Sequence, residues 1–188
     1  TRRSSDLVVT TLDTRLQKAA FDALGNHKGA VVVMEPSSGK ILAMVSKPDY
    51  DPNDINALWN DLIADSDNNS ALINRATQGL YPPGSIFKIL TALEYIRENP
   101  NYEDYTYDCV GKGTFNGITI NCYNNKVHGH VDLTKAFAKS CNSAFAQIGT
   151  TLDMASFRKL CNSLLFNSPL PTNLDYNKSS FVLDTNSE

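Results

Sequence analysis

Three pairs of residues have the spacing S-x-x-K, which places a hydroxyl and an amine one turn apart on a helix. The pairs are Ser37 with Lys40, Ser85 with Lys88, and Ser156 with Lys159. A hydroxyl beside an amine that can accept its proton is the arrangement that nucleophilic serine catalysis needs. Because about one such match is expected by chance in a chain of this composition, the surroundings of each pair must decide between them.

Ser85 and Lys88 lie at the start of the most apolar predicted helix, residues 85–97, which is apolar almost all round and is therefore expected to be buried on most sides. Ser85 would stand where backbone N–H groups favour developing negative charge. No acidic residue lies three or four positions from Lys88, so burial would lower the pKa of its amine and let it act as a base. The alternative is a helix-capping serine and a lysine whose amine reaches solvent.

The other two S-x-x-K pairs have less favourable surroundings. Ser37 falls in a turn predicted between two strands, and Ser156 lies beside Arg158 on an amphipathic helix. Both lysines are therefore expected to be solvated, which leaves Ser85 as the candidate nucleophile.

The first segment of the chain is predicted to form strand, helix, strand and strand. A strand is predicted over residues 7–11, followed by a helix that Asp13 or Thr14 caps. Gly25 ends this helix, and Thr14 with Gln17 matches a capping box. Two apolar runs, residues 30–34 and 41–46, predict a hairpin in a largely buried sheet.

The rest of the chain is predicted to be mainly helical around loops. Helices are predicted over residues 57–63, 131–139, 144–151 and 155–165, in addition to 85–97. Residues 99–130 are predicted to be an irregular excursion, and residues 167–188 a loop.

The composition excludes several classes of protein. The 188 residues carry 17 Lys+Arg and 20 Asp+Glu, a net charge of −3, so we expect no nucleic-acid binding. The longest apolar run, residues 30–34, is far shorter than the roughly 20 residues that span a bilayer. No signal peptide is visible, and a start at Thr1 suggests a piece of a longer protein.

Two segments carry a resemblance to a known family. Residues 74–76 (Asn-Arg-Ala) and 81–88 (Tyr-Pro-Pro-Gly-Ser-Ile-Phe-Lys) resemble the active-site segment of penicillin-binding proteins, and residues 140–142 (Ser-Cys-Asn) resemble their second motif, S-x-N. Residues 66–68 spell S-D-N literally, but they precede Ser85 and lie in a polar loop. Chain order and the apolar helix before residue 140 favour the later match.

The resemblance extends over about residues 7–165. Residues 9–17 and 29–48 are similar to the start of the transpeptidase domain in class B, monofunctional members. The implied fold is α+β and β-lactamase/transpeptidase-like, an antiparallel sheet with a mostly helical subdomain. Residues 1–188 would be a partial transpeptidase domain, with the sheet subdomain beginning in 7–48 and the helical subdomain in 49–188.

The resemblance also implies a role for each site residue in a peptidoglycan D,D-transpeptidase. Ser85 would attack the D-Ala-D-Ala carbonyl of a stem peptide, and Lys88 would take its proton. Ser140 would relay a proton to the leaving D-alanine, and Asn142 would bind the substrate amide. A second stem peptide would resolve the acyl-enzyme, and β-lactam antibiotics would acylate Ser85.

One motif of the family does not occur in the sequence. There is no K-T-G or K-S-G, and Lys112-Gly113-Thr114 has the wrong order. We therefore expect a chain truncated before the K-T-G strand, with an incomplete site and an exposed sheet edge through which it self-associates or meets neighbours.

The four cysteines suit neither a disulfide scaffold nor a standard zinc site. Cys109 and Cys122 either form a disulfide or remain free, and Cys141 and Cys161 are expected to be small buried residues. His128-Gly129-His130 is a weak metal signal, and we interpret it as part of a loop that leads to Ser140. No metal and no cofactor are expected.

Three other functions compete with the transpeptidase. They are a β-lactam-sensing receptor domain, a non-catalytic interaction domain and a class D-like β-lactamase. The intact pairs Ser85/Lys88 and Ser140/Asn142 and the match at residues 9–48 favour the transpeptidase. The resemblance further implies a parent protein anchored in the bacterial membrane, acting on its extracytoplasmic face within a cell-wall synthesis complex.

Overall fold

The computed structural model describes residues 8–64 and 71–183 and divides into two compact units. The first unit contains the described residues up to Leu80 together with Thr172–Asn177. The second contains Tyr81–Pro171 and the described residues from Lys178 onwards. The division into 7–48 and 49–188 stays a prediction.

The first unit contains two helices and one hairpin. Its elements are α1 (Thr14–Leu24), β1 (Gly29–Met34), β2 (Ile41–Lys47) and α2 (Ile55–Ala64). These elements confirm the predicted first helix, hairpin and short second helix. The strand predicted over residues 7–11 is wrong for residues 8–11, which form no ladder, while Leu7 lies outside the described residues. The reason is that Thr11 reaches β2 through its side chain alone, whose hydroxyl donates to the Ile41 carbonyl at 2.6 Å.

The start of α1 is fixed by Asp13, one of the two predicted caps. Its carboxylate accepts hydrogen bonds from the backbone N–H groups of Arg15 and Leu16. Gln17 forms no capping box; its amide donates to the Met44 carbonyl and accepts from the Met44 N–H, both at 2.8 Å. The helix is thereby attached to the free edge of β2.

The hairpin packs one face against α1. Strands β1 and β2 pair antiparallel, and Ala43 and Val45 of β2 are buried together with Ala20 of α1. Val32 and Met34 of β1 are about half exposed. The expectation of a largely buried sheet is wrong for the described residues, because α1 covers only one of its faces.

The second unit combines helices with two short strand pairs. Its elements are α3 (Lys88–Glu98), β3 (Thr106–Cys109), β4 (Lys112–Phe115), β5 (Ile118–Asn121), β6 (Gly129–Asp132), α4 (Leu133–Ala138), α5 (Asn142–Gly149) and α6 (Met154–Ser163). β3 pairs with β6, and β4 pairs with β5, all antiparallel. The helices confirm the predictions to within a few residues, and residues 167–183 contain no helix or strand, as expected.

The prediction of an irregular segment over residues 99–130 is wrong, because four short strands occupy much of it. Each strand has only four residues, too few for an alternating pattern to stand out. The helix predicted over 131–139 begins only at Leu133, since Val131 and Asp132 belong to β6.

Helix α3 is buried on one side only, so the expectation of burial on most sides is also wrong. Its exposed residues Ile89, Leu93 and Ile96 line an apolar groove of about 470 Å³ with α4. On the opposite side Glu94 is 1% exposed and accepts a hydrogen bond at 2.8 Å from Arg97. A buried carboxylate needs such a partner to offset its desolvation.

The core of the second unit lies between α3, α5 and α6. Phe87, Phe157, Phe166 and Phe181 form an aromatic cluster with ring centroids 5.4–6.1 Å apart. This packing holds the start of α3 against α6. Among the described residues, no helix is both long enough and apolar enough to cross a bilayer.

Candidate active site

Ser85 lies in a short 3-10 turn, Gly84–Phe87, that continues directly into α3. Pro83 precedes the turn, and no side chain caps its first N–H groups in the described part of the chain. Gly84 has φ +57°, a conformation that glycine adopts at little cost. Ser85 is exposed, and it lies beside backbone donors that can stabilise negative charge.

The Lys88 amine makes three hydrogen bonds to the S-x-N segment. Its Nζ atom lies 2.8 Å from the Ser140 carbonyl oxygen, 2.9 Å from the Ser140 hydroxyl and 2.6 Å from Asn142 Oδ1. Within residues 8–64 and 71–183 it makes no hydrogen bond to Ser85, contrary to the expected direct contact. The structure thus joins two of the sequence motifs through this one amine.

Burial lowers the pKa of the Lys88 amine, and the nearby Cys141 and Cys122 thiols partly oppose this effect. The side chain is half-buried, and its amine lies 5.6 Å from the centre of the Phe145 ring. The direction agrees with the expectation from its local sequence, where no acidic residue lies within one turn. A larger share of neutral amine at neutral pH favours a role as proton acceptor.

Ser140 is held in a left-handed conformation by the end of α4. The Ser140 N–H donates to the Phe137 carbonyl, and the Cys141 N–H donates to the Ala136 carbonyl, both at 2.9 Å. This pair of bonds is the Schellman motif, in which the position of Ser140 usually holds glycine. Ser140 has φ +50°, a strained conformation for a serine, and both its oxygens contact Lys88.

Asn142 begins α5 and is fixed from two sides. Its Oδ1 accepts from Lys88, and its Nδ2 donates to the Asn121 carbonyl at 2.9 Å. The Asn121 carbonyl belongs to β5 and orients the Asn142 amide, and the Lys88 amine of α3 binds the amide oxygen. Little freedom is left for its side chain.

Ser85, Ser140 and Asn142 line one cleft of about 660 Å³. The other residues lining this cleft are Tyr123, Lys126, His128, Ala138 and Lys139, of which the sequence pointed to His128 alone, as part of a loop that leads to Ser140. The two lysines give the wall positive charge, which suits an anionic ligand. Ala138 and Lys139 directly precede Ser140 in the sequence, whereas Tyr123 and Lys126 reach the cleft from the segment between β5 and β6, where no local pattern marks them.

The two other S-x-x-K pairs lie outside this cleft. Ser37 and Lys40 are exposed in the turn between β1 and β2, as expected. On α6, Lys159 is exposed, and the backbone N–H of Ser156 is bound by the capping carboxylate of Asp153. Residues 66–68, the literal S-D-N, lie outside the described residues.

The four cysteines are buried free thiols, so Cys109 and Cys122 are not bonded to each other. Their sulfur atoms nevertheless lie 3.7 Å apart, and Cys141 is 3.8 Å from Cys122. His128 contacts Cys109, whereas His130 pairs with Asp108, so the two histidines of the H-x-H do not act together. This clustering was not predictable from the sequence, because the spacing of the residues matches no standard site.

A family model described as the penicillin binding protein transpeptidase domain matches residues 29–187. Among curated relatives, Peptidoglycan D,D-transpeptidase PbpA from Mycobacterium tuberculosis is 37% identical over 193 residues. That alignment covers 92% of this chain and 38% of the relative. The chain thus spans less than half the length of this relative.

Two solved structures are similar over most of the chain. The D,D-transpeptidase domain of a peptidoglycan glycosyltransferase from Eggerthella lenta has a TM-score of 0.82 and 33% identity, covering 90% of this chain and 40% of that one. Penicillin-binding protein A from M. tuberculosis, in its penicillin G acyl-enzyme complex, has a TM-score of 0.81 and 34% identity, covering 91% and 43%. These matches confirm the expected α+β fold.

Proposed function

Because the chain belongs to the penicillin-binding protein transpeptidase domain family, we propose that it carries the acylating serine of a peptidoglycan D,D-transpeptidase. The observation that supports this most is the contact of Lys88 with both Ser140 and Asn142 beside the cleft that Ser85 lines. A half-buried lysine whose amine contacts polar groups of a second motif beside a cleft is suitably placed for proton transfer.

Acylation begins with proton transfer from Ser85. The Ser85 oxygen attacks the carbonyl carbon of the penultimate D-alanine, and the hydroxyl proton moves to neutral Lys88. A neutral amine donates two hydrogen bonds and keeps one lone pair, whereas the protonated amine donates three. The Ser140 carbonyl and the Asn142 side chain accept the two donated bonds, which leaves the lone pair for a hydroxyl proton.

The tetrahedral intermediate then loses its leaving group. The Ser85 backbone N–H stabilises the oxyanion, an interaction that contributes several kcal/mol in comparable sites, about 3–4. The carbon–nitrogen bond to the terminal D-alanine breaks, and its nitrogen takes the proton from Lys88 through the Ser140 hydroxyl. Asn142 holds the substrate amide in line for attack. The amine of a second stem peptide later displaces Ser85 and forms the cross-link.

β-Lactams would enter the same reaction in place of D-Ala-D-Ala. Attack by Ser85 opens the lactam ring, and the acyl group stays on the serine. The whole protein would act on the extracytoplasmic face of the bacterial membrane within a cell-wall synthesis complex. The K-T-G motif does not occur in the sequence, so no residue here is assigned to the substrate carboxylate.

The test is to incubate the protein with penicillin and follow its intact mass. We expect one stable adduct, which Ser85→Ala abolishes and Ser156→Ala, the matched S-x-x-K control, leaves unchanged. An adduct that persists in Ser85→Ala would contradict the proposal. Rapid loss of the adduct with release of hydrolysed penicillin would instead indicate a β-lactamase.

A further inference from the structure

A cluster of metal-ligand side chains lies behind the S-x-N segment. The ligand atoms of Cys109, Cys122, His128 and Cys141 all lie within 4.8 Å of one another. The three thiols are at most 2% exposed, and His128 is half-buried. We propose that these four side chains form a tetrahedral site for a thiophilic divalent cation, with Zn²⁺ the best match.

Three of the six separations within the cluster are close to the edges of such a site. A tetrahedron with metal–sulfur bonds of about 2.3 Å has sulfur–sulfur edges of about 3.8 Å, and its sulfur–nitrogen edges are about 3.6 Å when the metal–nitrogen bond is about 2.0–2.1 Å. The Sγ atom of Cys122 lies 3.7 Å from that of Cys109 and 3.8 Å from that of Cys141. Nδ1 of His128 lies 3.4 Å from Cys109 Sγ. These three separations, with all four donor atoms within 4.8 Å of one another, are compatible with a cation at their centre.

Polar groups around the cluster support bound thiolates. The Ser143 hydroxyl is fully buried and lies 3.4–3.5 Å from the sulfurs of Cys109, Cys122 and Cys141. The Gly111 N–H donates to Cys109 Sγ at 3.4 Å. Hydrogen bonds of this kind orient metal ligands and stabilise their charge.

The donor set and its charge favour zinc over harder cations. Three thiolates and one imidazole are soft or borderline ligands, and the Cys₃His combination is a known structural zinc set. Binding of Zn²⁺ to three thiols and a neutral histidine releases three protons and leaves a site of net charge −1. Because all four positions are taken by protein, the ion would be structural and would have no open position for substrate.

A bound ion would affect the structure of the cleft. Cys141 stands between Ser140 and Asn142, the two residues that contact Lys88. An ion bound to Cys141, to Cys109 at the end of β3 and to Cys122 directly after β5 would fix the backbone of the S-x-N segment. This differs from the expectation of no metal. It rests on contacts between residues 13 and 19 positions apart, which no local spacing rule describes.

The test is to purify the protein under reducing conditions from a zinc-supplemented culture and measure its metal content. We expect one zinc per chain, lost in Cys109→Ser and retained in Cys161→Ser, which removes a buried thiol outside the cluster. His128→Gln should likewise lose the ion, while His130→Gln should keep it. Equal zinc content in Cys109→Ser and Cys161→Ser would overturn the proposal.

A second measurement on the unaltered protein avoids variants that fail to fold. X-ray absorption at the zinc edge should give three sulfur neighbours at about 2.3 Å and one nitrogen at about 2.0 Å. Replacement by Co²⁺ should produce thiolate-to-cobalt charge transfer and tetrahedral d–d bands. Metal-free protein, a shell of oxygen ligands, or an intact mass showing a disulfide among these cysteines would each contradict the site. None of these readouts depends on acylation.

Discussion

Two S-x-x-K pairs have the same spacing, Ser85 with Lys88 and Ser156 with Lys159. The surroundings of the hydroxyl and of the amine both differ between the two pairs. Lys88 is half-buried and bound to the S-x-N segment, whereas Lys159 is exposed. Ser85 enters its helix with no side-chain cap, whereas α6 begins with the capping carboxylate of Asp153. The spacing sets only the distance along a helix, and residues from elsewhere decide whether the pair can transfer a proton.

The lack of a side-chain cap at the start of α3 lowers the stability of the helix but leaves its backbone N–H groups available to a reacting group. Helix N-termini have N–H groups without intrahelical partners, and a capping carboxylate would occupy them. At α6 Asp153 does this, and an anion would be repelled there. At Ser85 these donors remain available to the negative charge that would develop in the proposed attack on a carbonyl.

The largest effect is expected from removing the Lys88 amine. Lys88→Met should lower the acylation rate by about 10²–10⁴-fold, because no other basic group in the described part of the chain contacts the Ser140 hydroxyl. Stopped-flow or quench measurements with a reporter β-lactam give the rate. Lys159→Met is the matched control, and an equal loss in both variants would remove the distinction between the two pairs.

The pH dependence of acylation should follow Lys88. The amine accepts a proton only when neutral, so the rate should rise with pH as Lys88 loses its proton, by up to about tenfold per pH unit below its pKa. Since burial lowers the pKa of Lys88, the midpoint should fall below that of an ordinary lysine. Single-turnover rates across the pH range test this. A rate that keeps rising up to the pH at which an ordinary lysine titrates contradicts it.

A smaller effect is expected at Asn142. Asn142→Ala removes the acceptor 2.6 Å from Lys88, and one lost hydrogen bond of about 1–1.5 kcal/mol corresponds to roughly a tenfold slower acylation. The control is Asn162→Ala, an exposed asparagine on α6. If the two alanine variants acylate equally fast, the contact with Lys88 has no catalytic value.

The smallest effect is expected at Asp153, where a substitution should change the stability of the protein but not its acylation rate. Asp153→Ala removes the cap of α6 and should lower the free energy of unfolding by about 1 kcal/mol. Denaturant unfolding measures this loss, and the acylation rate of the folded protein should not change. A slower acylation would mean that the Ser156 helix contributes to the site after all.

The local sequence was sufficient to predict features that depend on neighbouring residues alone. The apolar period of α1, the hairpin turn and the lack of acidic neighbours around Lys88 all predicted what the structure contains. The exposed face of α3 was not predictable, because an apolar period shows which side chains avoid water but not how many neighbours cover them. Buried Glu94 is a further case, since its pairing with Arg97 makes its burial tolerable.

Contacts between residues far apart in the sequence could not be predicted without the family resemblance. Lys88 and Ser140 are 52 positions apart, and nothing near either residue points to the other. The left-handed serine at the end of α4 breaks the usual preference for glycine there. The thiol cluster likewise depends on how β3, β5 and α5 meet, so its spacing was interpreted as scattered cysteines.

The most direct test of the central claim is to find where penicillin becomes attached. Digestion with trypsin after acylation separates the peptide of residues 76–88, whose one serine is Ser85, from that of residues 140–158, which contains Ser156. We predict the adduct mass on the first peptide alone, at Ser85. An adduct on the second peptide, or none on the first, would contradict the assignment of Ser85 as the nucleophile.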